Sequence, residues 1–171
     1  MTGRLQIYTG DGKGKTTAAV GLAVRAAGAG LRVYFGQFLK SGRSSECRLL
    51  SRLAPALTVE AYGRGRLIRG RPAAADRDAA AAGLRRLRDA ITGGRYDVVI
   101  ADELIVAMNL GLLPAQDVLD MLEARPRGVE LVLTGRGAAA RLLRRADLVT
   151  EMRNVRHYFD RGVKARKGIE R

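Results

Sequence analysis

A chain of 171 residues is long enough to form one domain, residues 1–171, around one sizeable core. No apolar run reaches the length of a membrane span, no secretory apolar region precedes the first strand, and the single cysteine, Cys47, excludes a disulfide framework or a cysteine-rich metal site. The formal charge of +14 rests on arginine, since lysine supplies only five of the 31 basic residues.

Arginine and alanine are abundant together, which reads as a compositional bias rather than a selected patch. There is no Trp, with three Phe and five Tyr, so a stacking platform for single-stranded nucleic acid is poorly supplied. One local basic run stands out: Arg64, Arg66, Arg69 and Arg71. Solvation and attraction of an anionic substrate account for the charge better than a nucleic-acid groove does. The expectation is a bacterial-type cytoplasmic enzyme with neither nucleic acid nor membrane as a partner.

In chain order, Arg4–Tyr8 reads as a first strand, and Gly10-Asp11-Gly12-Lys13-Gly14-Lys15-Thr16-Thr17 as a glycine-rich turn opening a helix over Thr16–Ala29. Ala19, Leu22, Ala23 and Ala26 share one face of that helix. Strand–turn–helix with G-K-T is the layout of a phosphate-binding P-loop. Small residues let successive backbone N–H groups converge on a polyphosphate. Lys15 places a charge on the terminal phosphates, and the Thr16 hydroxyl suits a magnesium ion. The pattern departs from the usual one in having Thr9 where the first glycine stands, with Gly10 one position later. For Lys13 the pattern leaves phosphate contact and solvent exposure equally open.

Leu31–Phe38 reads as a second strand, Ser41–Glu46 as a polar loop, Glu46–Leu53 as a short helix and Leu57–Tyr62 as a third strand. Gly63–Pro72 is a glycine- and arginine-rich loop. Ala74–Thr92 is a helix with Leu84, Leu87 and Ile91 inward, and Tyr96–Ala101 a buried strand. That strand runs into Asp102-Glu103, acids at a strand end, placed to present a carboxylate to a phosphate-bound magnesium directly or through water. Leu104–Leu113 and Pro114–Ala124 are helical, Val129–Thr134 is a strand ending in Thr134-Gly135-Arg136-Gly137, Gly137–Arg145 is a short helix, and Asp147–Met152 is a last strand. Arg136 can pair with a polyphosphate. The tail, 154–171, is basic and polar and resists assignment.

This alternation predicts an α/β fold of the P-loop NTPase-like (RecA-like) kind, a mostly parallel sheet with helices on both faces. Ligands then bind beyond the carboxyl ends of the strands, which aligns Gly10–Thr16, Gln37–Lys40, Asp102–Glu103 and Thr134–Arg136 along one rim. No general base emerges. The lone histidine, His157, lies in the tail, far from the rim in sequence, and reads as structural. The residues alone leave open a P-loop ATPase or phosphotransferase.

The ordered motifs resemble the P-loop ATP:corrinoid adenosyltransferases, also called cob(I)alamin or cob(I)yrinic acid a,c-diamide adenosyltransferases, over nearly the whole chain. The resemblance is carried by Tyr8–Ala19, Arg25, Gln37-Phe38-Leu39-Lys40, Tyr96-Asp97 to Asp102-Glu103, Gly111-Leu112-Leu113 and Leu133-Thr134-Gly135-Arg136. Its most distinctive part is the tail, Ala146–Met152, His157, Phe159-Asp160 and Gly162–Glu170. It implies transfer of the 5′-deoxyadenosyl group of ATP to the cobalt(I) of a reduced corrinoid with release of triphosphate, in adenosylcobalamin biosynthesis. It further implies ATP binding by Gly10–Thr17, Arg25 and Arg136, catalytic roles for Lys15, Thr16 and Glu103, and magnesium at Thr16, Asp102 and Glu103. A reducing system for cobalt and a homodimer are implied partners. Aligning on Gly63-Arg64-Gly65 puts Arg66 and Ile68 at corrinoid-facing positions where the family carries aromatic residues, and Ile105 and Val106 also depart from its pattern; the altered 66–68 loop leaves an ATP- or corrinoid-binding protein with degraded catalysis as the alternative to the enzyme. Several members have an N-terminal extension over the site; the chain here starts just before its first strand.

Overall fold

The computed structural model describes residues 2–66, 68 and 70–170; Arg69 of the basic run lies outside the described residues. Six parallel strands, β1 (Leu5–Thr9), β2 (Val33–Phe38), β3 (Leu57–Tyr62), β4 (Val98–Asp102), β5 (Glu130–Thr134) and β6 (Leu148–Glu151), lie in the spatial order β3-β2-β4-β5-β1-β6. β4 sets Val99 between Tyr34 of β2 and Leu131 of β5, and β1 sets Ile7 between Leu133 and Val149. The expected α/β, P-loop NTPase-like architecture is present, with β5 standing between the P-loop strand β1 and the acid-bearing strand β4.

Helices cover both faces. α1 (Lys15–Gly28) and α2 (Ser45–Leu50) lie on one, and α3 (Ala74–Thr92), α4 (Leu104–Asn109), α5 (Ala115–Glu123) and α6 (Ala140–Leu143) on the other. The central strands β4 and β5 therefore carry apolar residues on both faces rather than at alternate positions, with polar residues only at their ends. Val98 and Ile100 of β4 join the cluster under α1, with Ala19, Ala23, Ala26 and Phe35. Val99 and Ala101 join the opposite cluster, with Leu84, Leu87, Ile91, Leu104 and Val118. The alanine stripe of α1 keeps that helix close to the sheet, which brings its N-terminus to the strand ends. No helix among the described residues is long and apolar enough to cross a membrane.

Several boundaries differ from the sequence reading for local reasons. The helix expected to run to Leu113 stops at Asn109, because Gly111 takes a left-handed φ of 69° and the Leu112 N–H bonds back to the Ala107 carbonyl. The helix expected over Gly137–Arg145 shortens to Ala140–Leu143, since Asn109 holds the Arg136 and Gly137 carbonyls in a turn. Ser44, read as loop, is the N-cap of α2 through its bond from the Cys47 N–H. Leu22 is only half-buried, leaving the inward stripe of α1 to the three alanines. β6 is an exposed edge strand, with Leu148 and Val149 in contact with water.

Candidate active site

The P-loop follows β1 and ends at Gly14, whose φ of 123° suits glycine and begins α1 without a side-chain cap. The α1 N-terminus thus leaves its first N–H groups free to meet an anion. Two further glycines are required by proximity. A Cβ on Gly10 would lie 2.4 Å from the Met152 carbonyl oxygen, and one on Gly12 2.7 Å from those of Met152 and Arg153. The Gly12 N–H donates to Met152 O at 2.6 Å, so the chain leaving β6 braces the loop from behind.

Lys15 is buried and donates from Nζ to the carbonyls of Gly10 (2.7 Å) and Gly12 (2.6 Å). Burial, and then the neighbouring charge of Arg136, lower its pKa, against the pull of Glu103, Asp11 and Asp102. Next to it, the Thr16 hydroxyl donates to Asp102 Oδ1 at 2.9 Å. Asp102 is fully buried, and its carboxylate also accepts from the Thr134 hydroxyl (2.8 Å, Oδ1) and the Gln37 amide (2.9 Å, Oδ2). The ends of β2, β4 and β5 therefore converge on one carboxylate, which orients the P-loop threonine.

Glu103 has a left-handed φ of 60°, uncommon for a residue with a Cβ, and its N–H is pinned by the Thr134 hydroxyl at 2.9 Å. The turn sends its side chain into the cleft beside Thr16. Burial, reinforced by Asp102, raises its pKa; Lys40, Lys15 and Arg136 oppose the rise. Leu39 repeats the left-handed turn at the end of β2, with φ 66°, and sets Lys40 in the same cleft, paired with Glu46 at 3.1 Å. Burial works against the Lys40 charge, but Asp102, Glu46 and Glu103 outweigh it and raise its pKa.

These groups line a cleft of about 510 Å³ with Gly12, Lys13, Gly14, Lys15, Thr16, Thr17, Glu103 and Arg136 among its walls. Gly10 contributes a carbonyl to Lys15 rather than a wall, and Asp11 is exposed. Arg25 is exposed on α1, ten residues (about 15 Å of helix) beyond Lys15, and lies outside the cleft lining. Arg66 makes a bidentate pair with Asp76, at 2.5 and 3.3 Å, and Ile68 is half-buried against the core. Both line a small crevice with Leu39, Tyr62, Arg64 and Leu112, and the next residue after Leu39, Lys40, lines the cleft.

The sequence reading missed four kinds of contributor. Gln37 and Thr134 were visible as rim positions without a role, and only the parallel register puts both on Asp102. Ser45 and Glu46 enter with α2. His157, placed away from the rim in sequence, is brought to the cleft by the tail, as are Gly168, Ile169 and Glu170. His157 Nδ1 accepts from the Phe159 N–H at 3.0 Å, which leaves Nε2 as the ring nitrogen without a hydrogen bond to the tail backbone.

Among the described residues no group of three or more His, Cys, Asp or Glu converges as a metal cage. A hydroxyl and two carboxylates are hard oxygen donors, which fit a magnesium ion that keeps its remaining ligands from phosphate and water.

Over residues 1–171 the sequence matches the family described as ATP:corrinoid adenosyltransferase BtuR/CobO/CobP. It is 39% identical over 175 residues to the corrinoid adenosyltransferase CobA of Salmonella typhimurium, covering 98% of this chain and 85% of that one. It is 38% identical over 171 residues to the corrinoid adenosyltransferase of Escherichia coli K12, with 98% and 85% covered, and 34% identical over 169 residues to that of Pseudomonas aeruginosa, with 98% and 83% covered. The match spans the P-loop, the acids at the end of β4 and the tail alike, and the chain belongs to the ATP:corrinoid adenosyltransferases.

Proposed function

We propose that the cleft binds the triphosphate of ATP and stabilises it as a leaving group while a reduced corrinoid takes the adenosyl moiety. The observation that carries this reading is the make-up of the cleft in a member of this family: Lys13, Lys15, Lys40, Arg136 and the α1 N-terminus face one space with the Thr16 hydroxyl. Such a set matches a polyphosphate, and it does so in a partly desolvated setting where charge pairs are strong.

The cobalt(I) lone pair attacks the ribose 5′ carbon. A cobalt–carbon bond forms, the carbon–oxygen bond to the triphosphate breaks, and its electron pair leaves on the triphosphate. Negative charge therefore grows at the oxygen leaving the ribose, and Lys15 and Arg136 offset it. Cobalt(I) needs no deprotonation, so the step requires no protein base. Thr16 and Glu103 would hold magnesium directly, with Asp102 acting through the Thr16 hydroxyl or a water, since its oxygens already accept three hydrogen bonds. The ion would supply Lewis-acid neutralisation of the triphosphate. Gly10–Thr17 cradle the phosphates, and Arg25, remote from the cleft, serves α1 rather than the phosphates directly.

The corrinoid sits against the crevice of Arg66 and Ile68, which the Leu39–Lys40 turn joins to the nucleotide cleft. Ile68 supplies apolar cover there. Electrons for cobalt come from a separate reducing system, because the sole thiol, Cys47, is buried and has no second cysteine to pair with. By analogy with its family the chain works as a cytoplasmic homodimer. The test is product identity. Phosphorus NMR of a reaction with ATP, magnesium and chemically reduced cobalamin shows inorganic triphosphate; ADP and phosphate in its place would establish the ATPase reading.

A further inference from the structure

We propose that the C-terminal tail is a wall of the nucleotide site and that Glu170 is a positioning residue, holding Lys13 so that its ammonium bridges the tail and a bound polyphosphate. This rests on the cleft being the ATP site.

The tail is tied to the P-loop twice. At the backbone, Met152 and Arg153 lie against Gly10 and Gly12 closely enough to exclude a side chain. At the side chains, Lys13 Nζ lies 3.5 Å from Glu170 and 3.3 Å from the Tyr158 hydroxyl. The Glu170 carboxylate is itself fixed. It accepts from the Arg166 N–H (2.7 Å), from the Arg166 guanidinium (2.9 and 3.3 Å) and from the Tyr158 hydroxyl, and the Arg166 guanidinium stacks 4.9 Å from the Tyr158 ring. Tyr158, Arg166 and Glu170 thus form a small hydrogen-bonded unit in an otherwise exposed segment. Its edge, Gly168, Ile169 and Glu170, faces the P-loop across the cleft.

An ammonium has three N–H donors. Glu170 and Tyr158 take one side of Lys13, which is still 42% exposed and lines the cleft, so the remaining donor capacity points to a phosphate oxygen. Arg166 neutralises Glu170, so the carboxylate orients Lys13 without repelling the polyphosphate outright. A docked tail and a bound polyphosphate then stabilise each other, and by linkage the coupling is reciprocal.

Limited trypsin digestion reads the docking, because Arg166 and Lys167 lie within the tail. Saturating inorganic triphosphate, or ATP, slows cleavage there about fivefold or more. In calorimetric titration Lys13→Ala and Glu170→Gln each weaken triphosphate binding about fivefold, with unchanged unfolding midpoints, and the double variant is no weaker than Lys13→Ala alone. Cleavage that is unchanged or faster with ligand, tighter binding by Glu170→Gln, or additive losses in the double variant would overturn the proposal. A wild-type protein that binds neither ATP nor triphosphate would remove the ATP-site reading, and this one with it.

Discussion

Thr134→Val tests the network that joins the fold to the site. The Thr134 hydroxyl is fully buried, donates to Asp102 at 2.8 Å and accepts from the Glu103 N–H at 2.9 Å. Valine keeps the shape and removes both bonds. Losing a hydrogen bond to a buried carboxylate costs about 1.5–3 kcal/mol, and stranding an N–H about 1 kcal/mol where water can partly reach it, as at half-buried Glu103. The variant should lose about 2.5–4 kcal/mol, which lowers the urea midpoint by about 1 M or more. It should also slow triphosphate release at saturating ATP, because Glu103 is no longer pinned in its left-handed turn. Thr134→Ser retains the hydroxyl and should stay near wild type in both assays. A Thr134→Val protein with the wild-type midpoint, or a serine variant as damaged as the valine one, would refute the reasoning.

Lys15→Ala and Thr16→Ala should each cut triphosphate production by about a hundredfold or more; a near-normal rate in either would remove the P-loop from the chemistry. Glu103→Gln should raise the magnesium concentration for half-maximal rate about tenfold or more, measured by metal titration of the initial rate. Gly83→Ala should destabilise α3 by about 1–3 kcal/mol although alanine is the better helix former, because the new Cβ would lie 2.4–2.6 Å from the Tyr62 side chain; thermal unfolding decides the sign. The Asp97 carboxyl should titrate at about 2 by NMR, held down by the Arg32 guanidinium and by the Arg32 N–H. A depressed pKa gives stability that is complete above the unfolded value of about 3.9 and lost as pH falls through about 2, so Asp97→Asn should flatten the stability profile in that window.

Much of this architecture is legible along the chain because it is local. Four apolar residues running into Asp102-Glu103 announce a buried strand with acids at its end, and G-K-T after Leu5–Thr9 announces the phosphate loop. Helix ends were less legible. Whether Leu104 onward continues past Asn109 depends on the left-handed turn at Gly111, which apolar spacing does not encode. The site was legible wherever a strand end carried it, since a parallel sheet aligns those ends on one rim. Gln37 and Thr134 lacked a role because their meeting at Asp102 is a matter of register across β2, β4 and β5. His157 and Glu170 were out of reach for a different reason. The tail that carries them returns to the P-loop over some 145 to 157 residues of chain, as the Lys13–Tyr158 and Lys13–Glu170 pairs show, and no local pattern announces such a return.

The most direct measurement follows the ribose 5′ carbon itself. ATP carrying carbon-13 at that position is mixed anaerobically with the protein, magnesium and chemically reduced cobalamin, and carbon and phosphorus NMR are read together. The account predicts the label bonded to cobalt in a light-sensitive product, with inorganic triphosphate in equal amount. Label that stays on a nucleotide while ADP and phosphate accumulate would contradict it.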